Sequence, residues 1–560
     1  MDPTAVAQAN QQLWANHPEL GGRQLTDAPE DAAYRQEWMK LYHQALQGAS
    51  QPPQQGSAQP PSPQAAPTPA PAQSTKWYEV DQEISGLETD IKHDINVQRE
   101  AIPLVFVPGI MGSRLRLAGT NGTGDGSNGL PNLRWDPGDS GLLWKYSGAT
   151  PSFRKRMLVG PQFSSSFLEV DNTNPVGDGF NGIFKDYRPF LTSLKTRNWG
   201  PLGKIFELPV FTVGYNWTDD NTNSGTMLAA RISEIIKEAK AVTGICEKVI
   251  LITHSMGGLV ARWAREQAGA SGSVLGIIHG VQPTTGAAAA YWRIKAGFEG
   301  AGPTSRILGN SGPTVTPILA NIPGGLQLLP NKQYQTDAGS QQWLTVTENG
   351  QMKRSLPKSD PYDDIYSIKA VVQPAPGEKP STNAYWTLVD PDLLDPDAPS
   401  APSGPDAISA GNPPTDPWTQ YLSLLGIAKT FHNTLGKTPQ ARTFCFRGIK
   451  QKTADAIELK IETNRVWSNP YRTRGFRGMF TDADGKSMQA VLQDPSGDGD
   501  GTVPSSSAGA LNVPGKAPPG DSDFSVAHQP AYENSGVQAY TVLAIIALCK
   551  ERYNECRGKK

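Results

Sequence analysis

Apolar residues gather in short runs along the chain. IPLVFVPG (102–109), ELPVFTV (207–213), KVILITHS (248–255), SVLGIIHG (273–280) and ARTFCFRGI (441–449) are rich in Val, Ile, Leu and Phe with almost no alternation, which predicts strands buried on both faces. Between them, GTMLAARISEIIKEAKA (225–241), LVARWAREQA (259–268) and QYLSLLGIAKTFHNTL (420–435) carry apolar residues at helical spacing, and a last apolar helix is predicted at about 537–550. Strands alternating with helices predict an α/β protein with a doubly wound, mostly parallel sheet, whose functional groups sit at the C-terminal strand ends. Residues 290–435 break the rhythm with Gly, Pro, Asp and Ser, as in LVDPDLLDPDAPSAPSGPDAISAGNPPTDP (388–417), and read as a large inserted cap. The core is then 76–289 and 436–560.

The front of the chain has another character. Residues 1–47 end in a predicted helix with Tyr34, Trp38, Leu41, Tyr42 and Ala45 on one face and Asp27 and Glu30 spaced as a capping box. Residues 48–75 are Pro, Gln, Ala and Ser without charge or aromatic rings, an extended linker. The segment ahead of it is either a tail with one transient helix or a small docking or delivery module.

Charge narrows the partners. With 51 basic against 53 acidic residues and no basic run, a nucleic-acid partner has no electrostatic support. Cys246, Cys445, Cys549 and Cys556 lack metal-ligand spacing; the first three sit in or beside apolar segments as buried thiols, and a Cys549–Cys556 disulfide has no support. No metal or cofactor is expected. The N-terminus has neither a basic segment nor an apolar core of signal-peptide type, and AYTVLAIIALC (539–549) is far short of the roughly 20 residues that span a bilayer. The expectation is a protein soluble in the cytoplasm as made.

The candidate chemistry begins at VILITHSMGGLV (249–260). A buried strand that ends in a small-residue turn and runs straight into a helix holds its serine, here Ser255, on a sharp corner with the hydroxyl exposed at the sheet edge. Of the usual G-x-S-x-G, Thr253 replaces the first glycine and Gly257 keeps the second. A serine hydroxyl needs a base and the base needs an orienting acid, which this fold supplies in the order Ser, acid, His. Of seven histidines, His17, His43 and His93 come too early, His254 is locked beside the serine pointing the other way, His279 lies on a strand and His432 inside a helix. His528, in a polar loop before the last helix, has the right place. The acid falls in QDPSGDGDGTVPSSSAG (493–509), where Asp494, Asp498 and Asp500 compete. The spacing from Asp494 also imitates the start of a calcium loop, but position 12 would be Ser505 and no helix-loop-helix surrounds it. Oxyanion donors are expected from the amide of Met256 and from PGIMGS (108–113), through Ile110 or Met111.

VFVPGIMGS, DYRPFLTSLKTRNW (186–199), VGYNWTDD, THSMGGLVAR, PGGLQLLPN (323–331), GDGTVP (499–504) and AHQPAY (527–532) resemble, in that order, the landmarks of lecithin:cholesterol acyltransferase-like and PGAP1-like lipases of the α/β-hydrolase fold. The likeness spans roughly residues 100–550. It implies Ser255 as nucleophile, Asp500 as acid, His528 as base, and Ile110 beside Met256 as oxyanion donors. Where the acyltransferase branch usually has Tyr-Asp-Trp-Arg, this chain has Tyr215-Asn216-Trp217-Thr218, so roles tied to those charges do not carry over. NHPELGGRQLTDAPEDAAYRQEWMKLY (16–42) is similar to leaders of bacterial type VI secretion effectors, some of them lipases.

The expected activity is therefore serine-dependent hydrolysis of acyl esters of lipid or phospholipid at a membrane surface. The effector likeness implies secretion into a target cell and partners in a secretion apparatus and an immunity protein. An esterase, thioesterase or peptidase on a small acyl substrate is the enzymatic rival, since a triad does not identify its acyl donor. A non-catalytic binding or delivery protein on a hydrolase scaffold is the other. GAAAAYWRIKAGF (286–298) reads either as a packed helix or as a lid over the site.

Overall fold

The computed structural model describes residues 99–557 except 120–129, 161–166, 175, 299–306, 349, 370–385, 398–415, 464–478, 482–486, 493–496 and 513–521, together with Gln12, Ala15, Asn16 and the short ladder of Tyr78–Glu79 with Asp94–Ile95. Contacts divide the chain into Met1–Ser74 and Thr75–Lys560, and everything below belongs to the second unit. The helix expected before residue 47, its capping box at Asp27 and Glu30, the linker 48–75 and Asp494 lie outside the described residues.

The principal strands are β1 (Leu104–Val107), β2 (Val210–Thr212), β3 (Val249–His254), β4 (Val274–Gly280), β5 (Leu344–Glu348), β6 (Gln351–Leu356), β7 (Thr443–Gly448), β8 (Ile457–Thr463), β9 (Met479–Thr481), β10 (Ser487–Leu492) and β11 (Asp523–Phe524). The principal helices are α1 (Arg188–Lys195), α2 (Asn221–Thr243), α3 (Gly257–Glu266), α4 (Ala288–Ala296), α5 (Gly312–Leu319), α6 (Pro417–Leu435) and α7 (Ser535–Arg557). The central sheet runs β11-β7-β4-β3-β1-β2 with every neighbouring pair parallel. This is an α/β-hydrolase architecture.

Strand alternation sorts the core into two layers. Val105, Val107, Val249, Leu251 and Ile277 pack with α2 and α3, whereas Leu104, Phe106, Ile250, Ile252 and Ile278 pack with α1 and α7. Covered on both faces, β3 has no polar face, which is why its sequence does not alternate. α2 begins where the Asp220 carboxylate caps the Thr222 N–H and ends at Gly244 with φ 80°. Its Leu228, Ile232, Ile235 and Ala239 repeat at helical spacing and lie against the sheet; a fully buried Leu or Ile of this kind contributes roughly 1.5–3 kcal/mol. From β1 the chain crosses to β2 on one side and returns to β3 on the other, so the loops after β1 and β3 flank one crevice.

A second, mixed sheet runs β6-β5-β8-β10-β9, with β5 and β8 parallel and the other pairs antiparallel. Residues 457–492, expected in the 436–560 part of the core, thus pair with strands 344–356 of the insertion 290–435. Backbone pairing that spans about a hundred intervening residues leaves no local pattern to read. α6, expected within the cap, packs on α3 of the core, with Phe431 stacked on Trp263 at 5.2 Å and the Arg262 guanidinium donating to the Leu435 and Gly436 carbonyls. α4 is a packed helix, with Ala288, Ala289, Tyr291, Ile294 and Lys295 buried.

All four cysteines are free. Cys549 and Cys556 lie seven residues apart on α7, about 10 Å along its axis and too far for a disulfide. Among the described residues no helix is long and apolar enough to cross a membrane.

Candidate active site

Ser255 stands between the end of β3 and the start of α3 with φ 52°, a left-handed conformation that side chains other than glycine rarely adopt. The strain is held from both sides. Its N–H donates to the Gly280 carbonyl at 2.9 Å and its carbonyl accepts from Gly258 N–H at 2.9 Å. Gly257 is required by the same corner, because a Cβ there would meet the carbonyl oxygens of Pro108 at 2.3 Å and Val107 at 2.6 Å. Thr253, in place of a glycine, fits because its hydroxyl lies 3.1 Å from Nδ1 of His279, its register partner on β4.

The structure brings Ser255, His528 and Asp500 together across more than 270 residues. Ser255 Oγ lies 2.9 Å from His528 Nε2, and His528 Nδ1 lies 2.7 Å from Asp500 Oδ2. The other oxygen of Asp500 accepts the Thr502 and Val503 N–H groups at 2.9 and 2.7 Å, and the carboxylate is fully buried. The His528 N–H donates to the Asp500 main-chain oxygen at 2.9 Å, so the two residues are joined by backbone as well as side chain.

Asp498 is elsewhere. Its N–H donates to Asp337 Oδ2 at 2.9 Å and its carboxylate accepts from Lys450 N–H. Asp337 also accepts from the Ser505 hydroxyl and the Ser506 N–H at 3.1 and 3.2 Å, so one carboxylate of the insertion pins the acid loop on both sides of Asp500. Among the described residues no group of three or more His, Cys, Asp or Glu is arranged to hold a metal ion.

The loop after β1 turns at Gly109–Gly112, where Gly112 N–H donates to Gly109 O at 3.0 Å and Met111 has φ 63°. Trp135 Nε1 donates to the Met111 carbonyl at 2.8 Å and fixes that strained peptide. No hydrogen bond engages the Ile110 or Met256 amide among the described residues, as donors reserved for a ligand require. A narrow cleft lies beside this loop, lined mostly by apolar side chains, among them Met111, Trp135, Leu158, Phe298 and Leu319.

His279 and His432 are buried in the core. His432 is buried, its Nε2–H donating to the Gln327 carbonyl at 2.8 Å and its Nδ1 accepting from Asn331 at 3.1 Å, so α6 is clamped to the PGGLQLLPN segment. Asn216 and Thr218, where charges were missing, bond to each other at 2.7 Å as a neutral pair. Tyr187, within DYRPFL, was given no role by motif reading. Its hydroxyl lies 3.0 Å from His254 Nδ1.

No family model matches the chain, and no curated protein does. Among solved structures, a chain of the Tle4–Tli4 complex matches over 81% of this chain and 99% of its own, at 22% identity and a TM-score of 0.61. The two share a fold. Phospholipase PlaB from Legionella pneumophila aligns over 70% of this chain and 80% of its own at 11% identity, with a TM-score of 0.16, too slight a likeness to compare folds. The hydrolase fold is thereby supported, and not the finer grouping with lecithin:cholesterol acyltransferase-like and PGAP1-like lipases, which rests on the motifs.

Proposed function

We propose that the protein is a serine hydrolase that cleaves acyl esters of lipids, phospholipids foremost, with Ser255 as nucleophile, His528 as base and Asp500 as the acid that orients it. The observation that carries this reading is the unbroken line from Ser255 Oγ through both nitrogens of His528 to a buried carboxylate, at 2.9 and 2.7 Å. Asp500 accepts at Nδ1–H, so the proton-free Nε2 faces the serine and takes its proton as Oγ attacks the ester carbonyl. The tetrahedral oxyanion is received by the Ile110 and Met256 amides. His528 then returns the proton to the leaving alkoxide, and water repeats the cycle on the acyl-enzyme.

Lipid is favoured as substrate by the lipase-like motifs, with the apolar lining of the cleft beside the oxyanion loop in keeping with it. Delivery as a type VI effector is supported by the leader-like residues 16–42 and by the fold shared with a chain solved in a two-component complex, Tle4–Tli4. On this reading an immunity protein is the cognate partner. Mass spectrometry of phospholipid vesicles incubated with wild type and Ser255→Ala tests the proposal. Fatty acid release by the wild type alone is the expected result; equal release by the mutant refutes it. A soluble p-nitrophenyl ester cleaved while long-chain phospholipid is not would move the assignment to a small-substrate esterase.

A further inference from the structure

His254 immediately precedes the nucleophile, and both of its ring nitrogens are engaged. Nε2 lies 2.9 Å from the main-chain oxygen of His528, and Nδ1 lies 3.0 Å from the hydroxyl of Tyr187. A carbonyl oxygen only accepts, so Nε2 carries the proton. Burial, and secondarily the neighbouring His528, push the His254 pKa down to about 3, so the ring stays neutral and Nδ1 is an acceptor for the Tyr187 O–H. The Tyr187 oxygen in turn lies 3.4 Å from the Gly109 N–H, in the loop before Ile110. Burial holds the Tyr187 phenol well above its ordinary pKa, so this donor keeps its proton.

The two loops at the site thus meet behind the nucleophile. Gly109 presses on the relay directly, since a Cβ there would lie 2.8 Å from His254 Nδ1 and 3.0 Å from Ser255 Cβ. The Tyr187 ring is fixed against Phe106 of β1 at 4.8 Å. His528 is tied at its N–H by Asp500 and at its carbonyl by His254.

We propose that Tyr187 and His254 are positioning residues for acyl transfer at Ser255, a neutral relay that locks the oxyanion loop to the loop carrying the base. The proposal rests on the function assigned to Ser255, His528 and Asp500. Neither residue touches substrate. They act by holding His528 Nε2 and the oxyanion amides in register with one Oγ, where a displacement of about 1 Å costs on the order of a hundredfold in rate.

The test uses the full chain with Tyr187→Phe, His254→Phe and His254→Gln. Hydrolysis of a soluble p-nitrophenyl ester and the rate of phosphonylation by a fluorophosphonate are both measured. Tyr187→Phe and His254→Phe are expected to lower kcat and the phosphonylation rate by about tenfold or more, with KM within about twofold of wild type. His254→Gln is expected to recover most of the loss, because its amide offers a donor to the His528 carbonyl and an acceptor to Tyr187. Unchanged kcat and phosphonylation beside a lowered melting temperature would overturn the relay and leave ordinary packing. If His254→Phe does not fold, Tyr187→Phe and His254→Gln decide, since both keep the buried volume. A wild-type chain that neither hydrolyses ester nor reacts with the fluorophosphonate would instead defeat the assignment of Ser255, and the relay with it.

Discussion

Asp500→Asn isolates the role of the acid without removing its shape. Asp500 Oδ1 accepts two backbone N–H groups, from Thr502 and Val503, and only Oδ2 faces His528. An asparagine must keep its carbonyl oxygen toward those two donors, because turning it over would set its NH2 against them. Its NH2 then faces His528 Nδ1, which has to accept. The proton moves to Nε2, and the nitrogen facing Ser255 Oγ no longer has a lone pair for the serine proton. An enforced wrong tautomer of this kind costs about four powers of ten in kcat, or ~5 kcal/mol of barrier. Folding should change little, since both backbone bonds survive. The assay is kcat on a soluble p-nitrophenyl ester near neutral pH, with a melting curve for each variant. Asp498→Asn is the control, because the Asp498 side chain bonds Lys450 N–H and not His528; it should stay within about twofold of wild type. Asp500→Asn retaining a tenth or more of wild-type kcat would refute the reasoning, and an equal fall in Asp498→Asn would show that the loop as a whole, and not one carboxylate, is being measured.

Other consequences are open to measurement. Gly257→Ala should cost at least ~2 kcal/mol of stability or abolish soluble expression, because the new Cβ meets two backbone oxygens that do not yield; a melting temperature equal to wild type would contradict this. Asp337→Ala should cost ~1–2 kcal/mol and lower kcat through a loosened acid loop, checked by urea titration alongside ester turnover. Burial pushes the His432 pKa down to about 4, below its ordinary 6.5, so the unfolded chain takes the proton first. The stability this histidine supports is complete above pH 6.5 and is lost as pH falls toward 4, by ~3 kcal/mol across that window. Melting temperature against pH should show the fall, and His432→Gln should make it shallower, leaving the part that the buried His254 and His279 contribute.

The sheet, its flanking helices and the positions of Ser255 and His528 were legible because each rests on a local pattern: a β-branched run, a helical spacing, a loop in the required order. Choosing among Asp494, Asp498 and Asp500 was not a local matter. All three share one glycine-rich stretch of sequence, and what separates Asp498 from Asp500 in the structure is that the Asp500 carboxylate is buried against His528 while the Asp498 carboxylate bonds the Lys450 N–H, two residues past β7. The motif likeness favoured Asp500, whereas spacing alone left it open. His254 was read as locked and idle because its partners, Tyr187 and His528, are 67 and 274 residues away. The second sheet was invisible for the same reason, its parallel pair β5 and β8 being separated by a core strand.

The chain makes its excursion into the second sheet twice, before and after β7, and Asp500 lies on the way back from the second visit. Asp337, laid down on the first visit, grips the loop on either side of that acid. A cap threaded in this manner is not a detachable module. Exchanging residues 290–435 for the cap of another hydrolase would leave β8 to β10 without their partner strand and the acid loop without its clasp, so such chimeras should lose turnover even on substrates too small to touch the cap.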